Sequence, residues 1–123
     1  MKRILIVDDA GTVRMYHRNI LEGAGYAVEE AVNGIEALEK SLQSRFDLFV
    51  VDINMPKLDG YGFLRELRSQ ETPQVPAIMV STEAEASDQK LAFAAGANDY
   101  LIKPVKPQQL LIHVKLLIGG AKA

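Results

Sequence analysis

Leu48-Phe49-Val50-Val51-Asp52-Ile53-Asn54-Met55-Pro56 is the stretch on which the fold turns. The apolar run from Leu48 to Val51 has the length and β-branched content of one buried strand. Asp52 closes it, and Pro56, Asp59 and Gly60 then turn the chain into a helix pattern. A strand apolar on both faces belongs inside a parallel sheet. In such a sheet the carboxyl edge of the strands is where ligands bind. An ionised Asp there is costly to hold unless something pairs with it. Asp52 is therefore the candidate reacting group. The bland alternative is a capping Asp, and the rest of the chain decides between them.

Outward from this strand, strand and helix patterns alternate. Upstream, Ile4 to Val7 reads as a buried strand ending on Asp8-Asp9. Gly11 and Thr12 lead into a helix, with Thr12 as N-cap and Val13, Tyr16, Ile20 and Leu21 inward. That helix closes near Gly23 to Gly25. Tyr26 to Ala31 is a more exposed strand carrying Glu29 and Glu30, and Asn33-Gly34 opens a helix with Ile35, Ala37, Leu38 and Leu42. Downstream, Gly60 to Ser69 is a helix with Tyr61, Phe63, Leu64 and Leu67 inward. After Pro76, Ala77 to Val80 is a buried strand ending on Ser81-Thr82. Glu85 to Ala95 is a weakly amphipathic helix closed by Gly96. Asn98 to Ile102 is the last strand, ending on Lys103-Pro104, and Gln108 to Ile118 is the last helix.

Five strand-helix units imply a doubly wound parallel sheet with helices on both faces. The expected class is α/β, a flavodoxin-like (βα)5 fold with strand order 2-1-3-4-5, since strands one, three and four are the most apolar.

The composition fits one globular domain: 123 residues, 48% hydrophobic and 24% charged. A net charge of -2 gives no electrostatic footprint for nucleic acid. No cysteine is present, which removes disulfides and thiolate metal sites. His17 and His113 both read as surface helix residues. The apolar run after Lys2-Arg3 is too short for a signal peptide, and no stretch is long enough to span a membrane. The expected location is the cytoplasm.

The strand ends collect chemistry. Strand one supplies Asp8 and Asp9, strand three Asp52, strand four Ser81 and Thr82, strand five Lys103. In the order 2-1-3-4-5, strands one and three are neighbours, so three carboxylates converge and repel. A divalent cation removes that conflict, and oxygen ligands without cysteine select Mg2+. Ser81 and Lys103 can take the remaining oxygens of a transferred phosphoryl group, and Asp can be a phosphoryl-accepting nucleophile.

On these residues the chain resembles a response-regulator receiver domain of two-component signalling, of the stand-alone CheY-like type. The likeness rests on Val7-Asp8-Asp9, Asp52 to Pro56 with Asp59-Gly60, Val80-Ser81-Thr82, and Asp99-Tyr100 with Lys103-Pro104. It covers essentially the whole chain, so residues 1–123 read as a single receiver domain with no output domain. The resemblance implies that Asp52 accepts phosphate from a histidine kinase or a small phosphodonor. It implies Mg2+ on Asp9, Asp52 and the Asn54 carbonyl, with Asp8 acting through water. Ser81 would be the switch hydroxyl, Lys103 the partner of the phosphoryl charge, Lys103-Pro104 a cis peptide, and Tyr100 an aromatic switch. The resemblance also implies that Asn54 and Glu83 occupy the two positions that tune phosphate lifetime in this family. Val105 departs from the Phe common after Lys-Pro and bears on partner contacts near that corner, not on the chemistry.

The last helix is apolar nearly all round. Leu110, Val114 and Leu117, with Leu111 and Ile118, suffice for the core, which leaves Ile112 and Leu116 facing out. With Tyr100 they mark a partner surface or a homodimer face on helix four, strand five and helix five. The chain is then a phosphorylation-switched binding module rather than an enzyme, acting on a protein effector such as a motor-switch component in chemotaxis-type signalling. A phosphate sink or relay fits equally. A Mg2+-dependent phosphatase with an aspartyl nucleophile is the alternative from another class. The haloacid-dehalogenase type carries a second Asp where this chain has Asn54, and no cap domain is present. A flavin carrier of this fold would need a phosphate-cradling loop after strand one, where two acids stand.

Overall fold

The computed structural model describes residues 1–71 and 73–121. Its elements are β1 (Arg3–Val7), α1 (Gly11–Gly23), β2 (Ala27–Ala31), α2 (Gly34–Gln43), β3 (Leu48–Asp52), α3 (Gly60–Arg68), β4 (Ala77–Ser81), α4 (Ala86–Ala95), β5 (Asp99–Ile102) and α5 (Pro107–Ile118). All strand pairs are parallel, in the order β2-β1-β3-β4-β5. Among the described residues no helix is long and apolar enough to cross a membrane.

Alternation along each strand builds two cores. Leu5, Val7, Phe49, Val51 and Met79 pack with Phe63 and Leu64 of α3 and Ala92 and Ala95 of α4 on one face. Ile4, Ile6, Leu48, Val50, Ile78 and Val80 pack with Leu21 of α1 and Leu110 and Val114 of α5 on the other. Every residue of β3 and β4 is buried because both strands are covered from both sides.

Local chemistry sets the helix starts. Asn33 caps α2 by accepting from the Glu36 amide at 2.8 Å. Asp59 caps α3 by accepting from the Gly62 amide at 2.7 Å. Gly60 follows because a Cβ there would lie 2.3 Å from the Asp52 carbonyl oxygen. Gly96 closes α4 at a φ of 113°, which glycine adopts freely.

Three readings of the sequence are corrected. Thr12 does not cap α1: Ala10 holds the cap position without a side-chain bond, and Thr12 lies in the first turn. His17 is not solvated. It is 2% exposed, while Tyr16, assigned inward, is 42% exposed. The buried stripe of α1 runs through His17 and Leu21, four residues apart, and the Tyr16 hydroxyl reaches the rim to donate to the Val105 carbonyl at 2.8 Å. His113 is half-buried, and its Nδ1 pairs with Asp99 Oδ2.

Candidate functional site

Parallel register brings the strand ends level. Val7 pairs Val51, Asp52 pairs Val80 and Ser81 pairs Ile102. The residues at or just beyond these positions meet in one cleft at the carboxyl edge of the sheet. Carboxylate oxygens of Asp8, Asp9 and Asp52 all lie within 4.8 Å of one another. Asp8 and Asp52 are buried, and Asp9 is exposed. The group thus has hard oxygen donors, an open side and no sulfur, the donor set that suits a hard divalent cation.

Lys103 comes from the far edge of the sheet and reaches across it. Its Nζ donates to Asp8 Oδ2 at 2.8 Å and to Asp52 Oδ1 at 3.1 Å. The peptide bond that follows, Lys103-Pro104, is cis. Burial alone would lower the Lys103 ammonium, but the Asp8 hydrogen bond and the Asp52 charge outweigh it and raise its pKa. Asp52 is raised above the usual carboxylate range. Burial is the main cause and the Asp8 charge the next, with Lys103 opposing both. The Asp8 side chain is tied from its other oxygen too, because Oδ1 accepts from the Ala10 amide at 2.9 Å.

Ser81 is fully buried at the end of β4, on the strand next to Asp52, and its Oγ accepts from the Glu83 amide at 3.0 Å. Tyr100 is half-buried against the α3-α4 core and donates to the Glu83 carbonyl at 2.7 Å. One short loop, 81 to 83, therefore links the hydroxyl beside Asp52 to the tyrosine on β5. Burial raises the Tyr100 pKa, which keeps the phenol neutral. Asn54 and Glu83 are both exposed, each two residues beyond a strand end. Ile112 and Leu116 lie outside the cleft, 57% and 78% exposed on α5.

Sequence reasoning missed His17 and Tyr16, which line the side of the cleft next to Lys103. The one available signal was the spacing Val13, His17, Leu21, an i, i+4, i+8 stripe.

The architecture is the CheY-like flavodoxin fold. The chemotaxis protein CheY4 of Vibrio cholerae has this structure, with a TM-score of 0.90 and 36% identity over 95% of this chain and 98% of that one. The receiver domain of the sensor histidine kinase PA1611 of Pseudomonas aeruginosa, with a magnesium ion coordinated in its active-site cleft, matches with a TM-score of 0.89. It is 34% identical, over 97% of this chain and 98% of that one. Residues 4–115 match the response regulator receiver domain family, and the chain belongs to it. Among curated relatives, the transcriptional regulatory protein ResD of Bacillus subtilis is 37% identical over 119 residues, 97% of this chain and 49% of that protein. The chain spans about half the length of the curated relatives it matches. Receiver domains of two-component response regulators are signalling phosphoacceptors.

Proposed function

We propose that Asp52 is the phosphoacceptor, loaded by a histidine kinase or a small phosphodonor, and that the phosphoryl group reshapes the α4-β5-α5 face for a protein partner. The observation that carries this reading is the Lys103 ammonium held between the buried carboxylates of Asp8 and Asp52. A raised pKa makes the ionised Asp52 carboxylate the more basic nucleophile, and the lysine stands where phosphoryl charge would develop.

An Asp52 oxygen attacks phosphorus while the bond from phosphorus to the donor's imidazole or acyl oxygen breaks. The product is an acyl phosphate on Asp52. Asp9, Asp52 and the Asn54 carbonyl would hold Mg2+, with Asp8 joining through water. The ion supplies charge neutralisation of the phosphoryl oxygens. Lys103 takes one of those oxygens and Ser81 another. Asn54 and Glu83, exposed at the rim, set how readily water reaches the phosphoryl group and so tune its lifetime.

The added charge of about two units and three acceptor oxygens draws the Ser81 hydroxyl inward. Ser81 now accepts from the Glu83 amide, and Glu83 accepts from Tyr100, so a moved loop 81–83 repositions Tyr100. Tyr100, Ile112 and Leu116 then form the partner surface, for an effector or for a homodimer.

We read residues 1–123 as one receiver domain that signals by protein contact in the cytoplasm, without nucleic acid or membrane contact of its own. Likeness to the chemotaxis protein CheY4 over nearly all of that chain favours a chemotaxis-type role; a motor-switch component is the effector we propose on that reading. Likeness to the receiver of a sensor histidine kinase favours the second reading, a phosphate relay or sink.

The switch is tested by amide NMR with Mg2+ and acetyl phosphate. Resonances of Ser81, Glu83, Tyr100 and α5 are expected to move together, and to stay in place in Asp52→Asn. Movement confined to the three acids would reject the coupling.

A further inference from the structure

Of the three acids in the cleft, Asp9 is held differently from the other two. Asp8 and Asp52 both accept from Lys103, and Asp8 accepts from the Ala10 amide as well. Asp9 is exposed, and among the described residues no donor is bonded to its carboxylate. Its oxygen nevertheless lies within 4.8 Å of those of Asp8 and Asp52. The place of that carboxylate is therefore set by the backbone of the turn from which it projects.

Arg14 holds that turn. The peptide before Asp8 is tied to β2, because the Asp8 amide donates to the Ala31 carbonyl at 3.1 Å. The peptide after it is tied to α1, because Arg14 Nη1 donates to the Asp8 carbonyl at 2.7 Å. That carbonyl lies in the plane joining Asp8 to Asp9, so fixing it fixes the direction in which Asp9 leaves the chain. The guanidinium is itself aimed: its Nε donates to Glu30 Oε1 at 2.7 Å, and the Arg14 side chain is only 17% exposed. A planar fork of five donors can hold a carboxylate and a carbonyl at once. For α1 alone the cation is a poor choice. It folds back over the start of the helix, where a Cβ at Gly11 would lie 3.5 Å from Arg14 Nη2, and positive charge there opposes the helix dipole. Arg18 makes a useful contrast. It pairs with the same Glu30 and with Glu22 and donates to the Val28 carbonyl, without touching the turn.

We propose that Arg14 is a positioning residue for the cation site: its guanidinium, aimed by Glu30, holds the Asp8-Asp9 peptide so that the otherwise untied Asp9 carboxylate stays turned toward Asp52. This rests on the reading of Asp8, Asp9 and Asp52 as a Mg2+ site. Three ionised acids repel one another, and Asp9, with solvent open to it, is the one free to swing away. A ligand already in place loses less freedom when the ion arrives, so the ion binds more tightly. Arg14 touches neither the ion nor the phosphoryl group and acts only through this backbone.

The test is Mg2+ binding to the unphosphorylated protein by calorimetry, with Arg14→Met beside Arg18→Met. Methionine keeps an apolar stem and removes the donors. Arg14→Met is expected to weaken Mg2+ binding about ten-fold, the low end for outer partners of a metal site. Arg18→Met loses ion pairs on the same helix and is expected to keep the wild-type affinity. A second readout is phosphoryl uptake from acetyl phosphate against Mg2+ concentration. Arg14→Met is expected to need about ten-fold more Mg2+ for half-maximal uptake and to reach the wild-type rate at saturation. A folded Arg14→Met protein with wild-type Mg2+ affinity overturns the proposal. Equal weakening in Arg18→Met overturns it too, since loosened packing of α1 on β2 would then explain both. Arg14→Gln, which keeps a polar end without the fork, replaces the methionine variant if the latter does not fold. A wild type that binds no Mg2+ overturns the cation reading and this proposal with it. If the wild type binds Mg2+ but takes up no phosphoryl group, the reading of Asp52 fails, and calorimetry still decides the role of Arg14.

Discussion

Asp52→Asn should make the metal-free protein more stable near neutral pH, although it removes a partner of Lys103. The geometry sets the size. With carboxylate oxygens within 4.8 Å, the buried Asp8 repels an ionised Asp52 by about 3.5 kcal/mol at an effective dielectric constant of about 20, and the exposed Asp9 adds a smaller, solvent-screened repulsion. The Lys103 ammonium at 3.1 Å attracts it by about 5 kcal/mol on the same footing. The repulsions and the attraction largely offset, and burial, the main cause of the raised pKa, leaves roughly 1 to 2 kcal/mol against the charge. The amide removes this term while its oxygen still accepts from Lys103. The expected rise in Tm is about 5 °C for a domain of this size.

The pH dependence carries the sign. The folded-state pKa of Asp52 lies above its ordinary value of 3.8. Between the two values the folded protein binds more protons than the unfolded chain, so the wild type loses stability as pH rises through that window. Below 3.8 the carboxyl is neutral in both states and the two proteins should melt together. Above the raised value the full gap should be open. Thermal unfolding in EDTA across this range measures it. Added Mg2+ should narrow or reverse the gap, because the wild type binds the cation more tightly. A variant less stable than the wild type in EDTA near neutral pH would refute the reasoning, since attraction to Lys103 would then dominate.

Lys103→Ala leaves the three acids in place, so Mg2+ affinity measured by calorimetry should hold or rise, while the NMR response of Tyr100 to acetyl phosphate should be lost. Persistence of that response in full would remove Lys103 from the coupling. Gly60→Ala places a methyl 2.3 Å from the Asp52 carbonyl oxygen, and denaturant unfolding should show a loss of about 2 to 4 kcal/mol, the range of serious core strain. A loss under about 0.5 kcal/mol, the usual size for an exposed site, would mean that the β3-α3 turn has more room than the structure gives it.

The fold was legible because its central strand is unambiguous. Leu48 to Val51 is apolar on both faces, and Asp59-Gly60 opens the next helix where the sequence expects it. The strand-end residues Asp8, Asp52 and Ser81 followed from topology alone. The place of Lys103 at the site was read with them, but its bond to Asp8 was not, because a long flexible side chain crossing from the end of β5 leaves no periodic trace. The phase of α1 was misread because Tyr16 and His17 sit side by side at i+3 and i+4 from Val13. Hydropathy favours burying the tyrosine. The structure buries the imidazole instead and lets the phenol body lie at the rim, where its hydroxyl finds the Val105 carbonyl. The Thr12 cap failed because a threonine before a periodic run is only a local signal, and the backbone enters α1 two residues earlier, behind Ala10. The pairing of His113 with Asp99 joins two elements fourteen residues apart, a distance at which the sequence gives no pairing rule.

The most direct measurement is the intact mass of the protein after incubation with acetyl phosphate, with and without Mg2+, beside Asp52→Asn. The account predicts one phosphoryl addition in the wild type with Mg2+, and none in the variant or in EDTA. Addition that persists in Asp52→Asn, or no addition to a folded protein with Mg2+ bound, would contradict it.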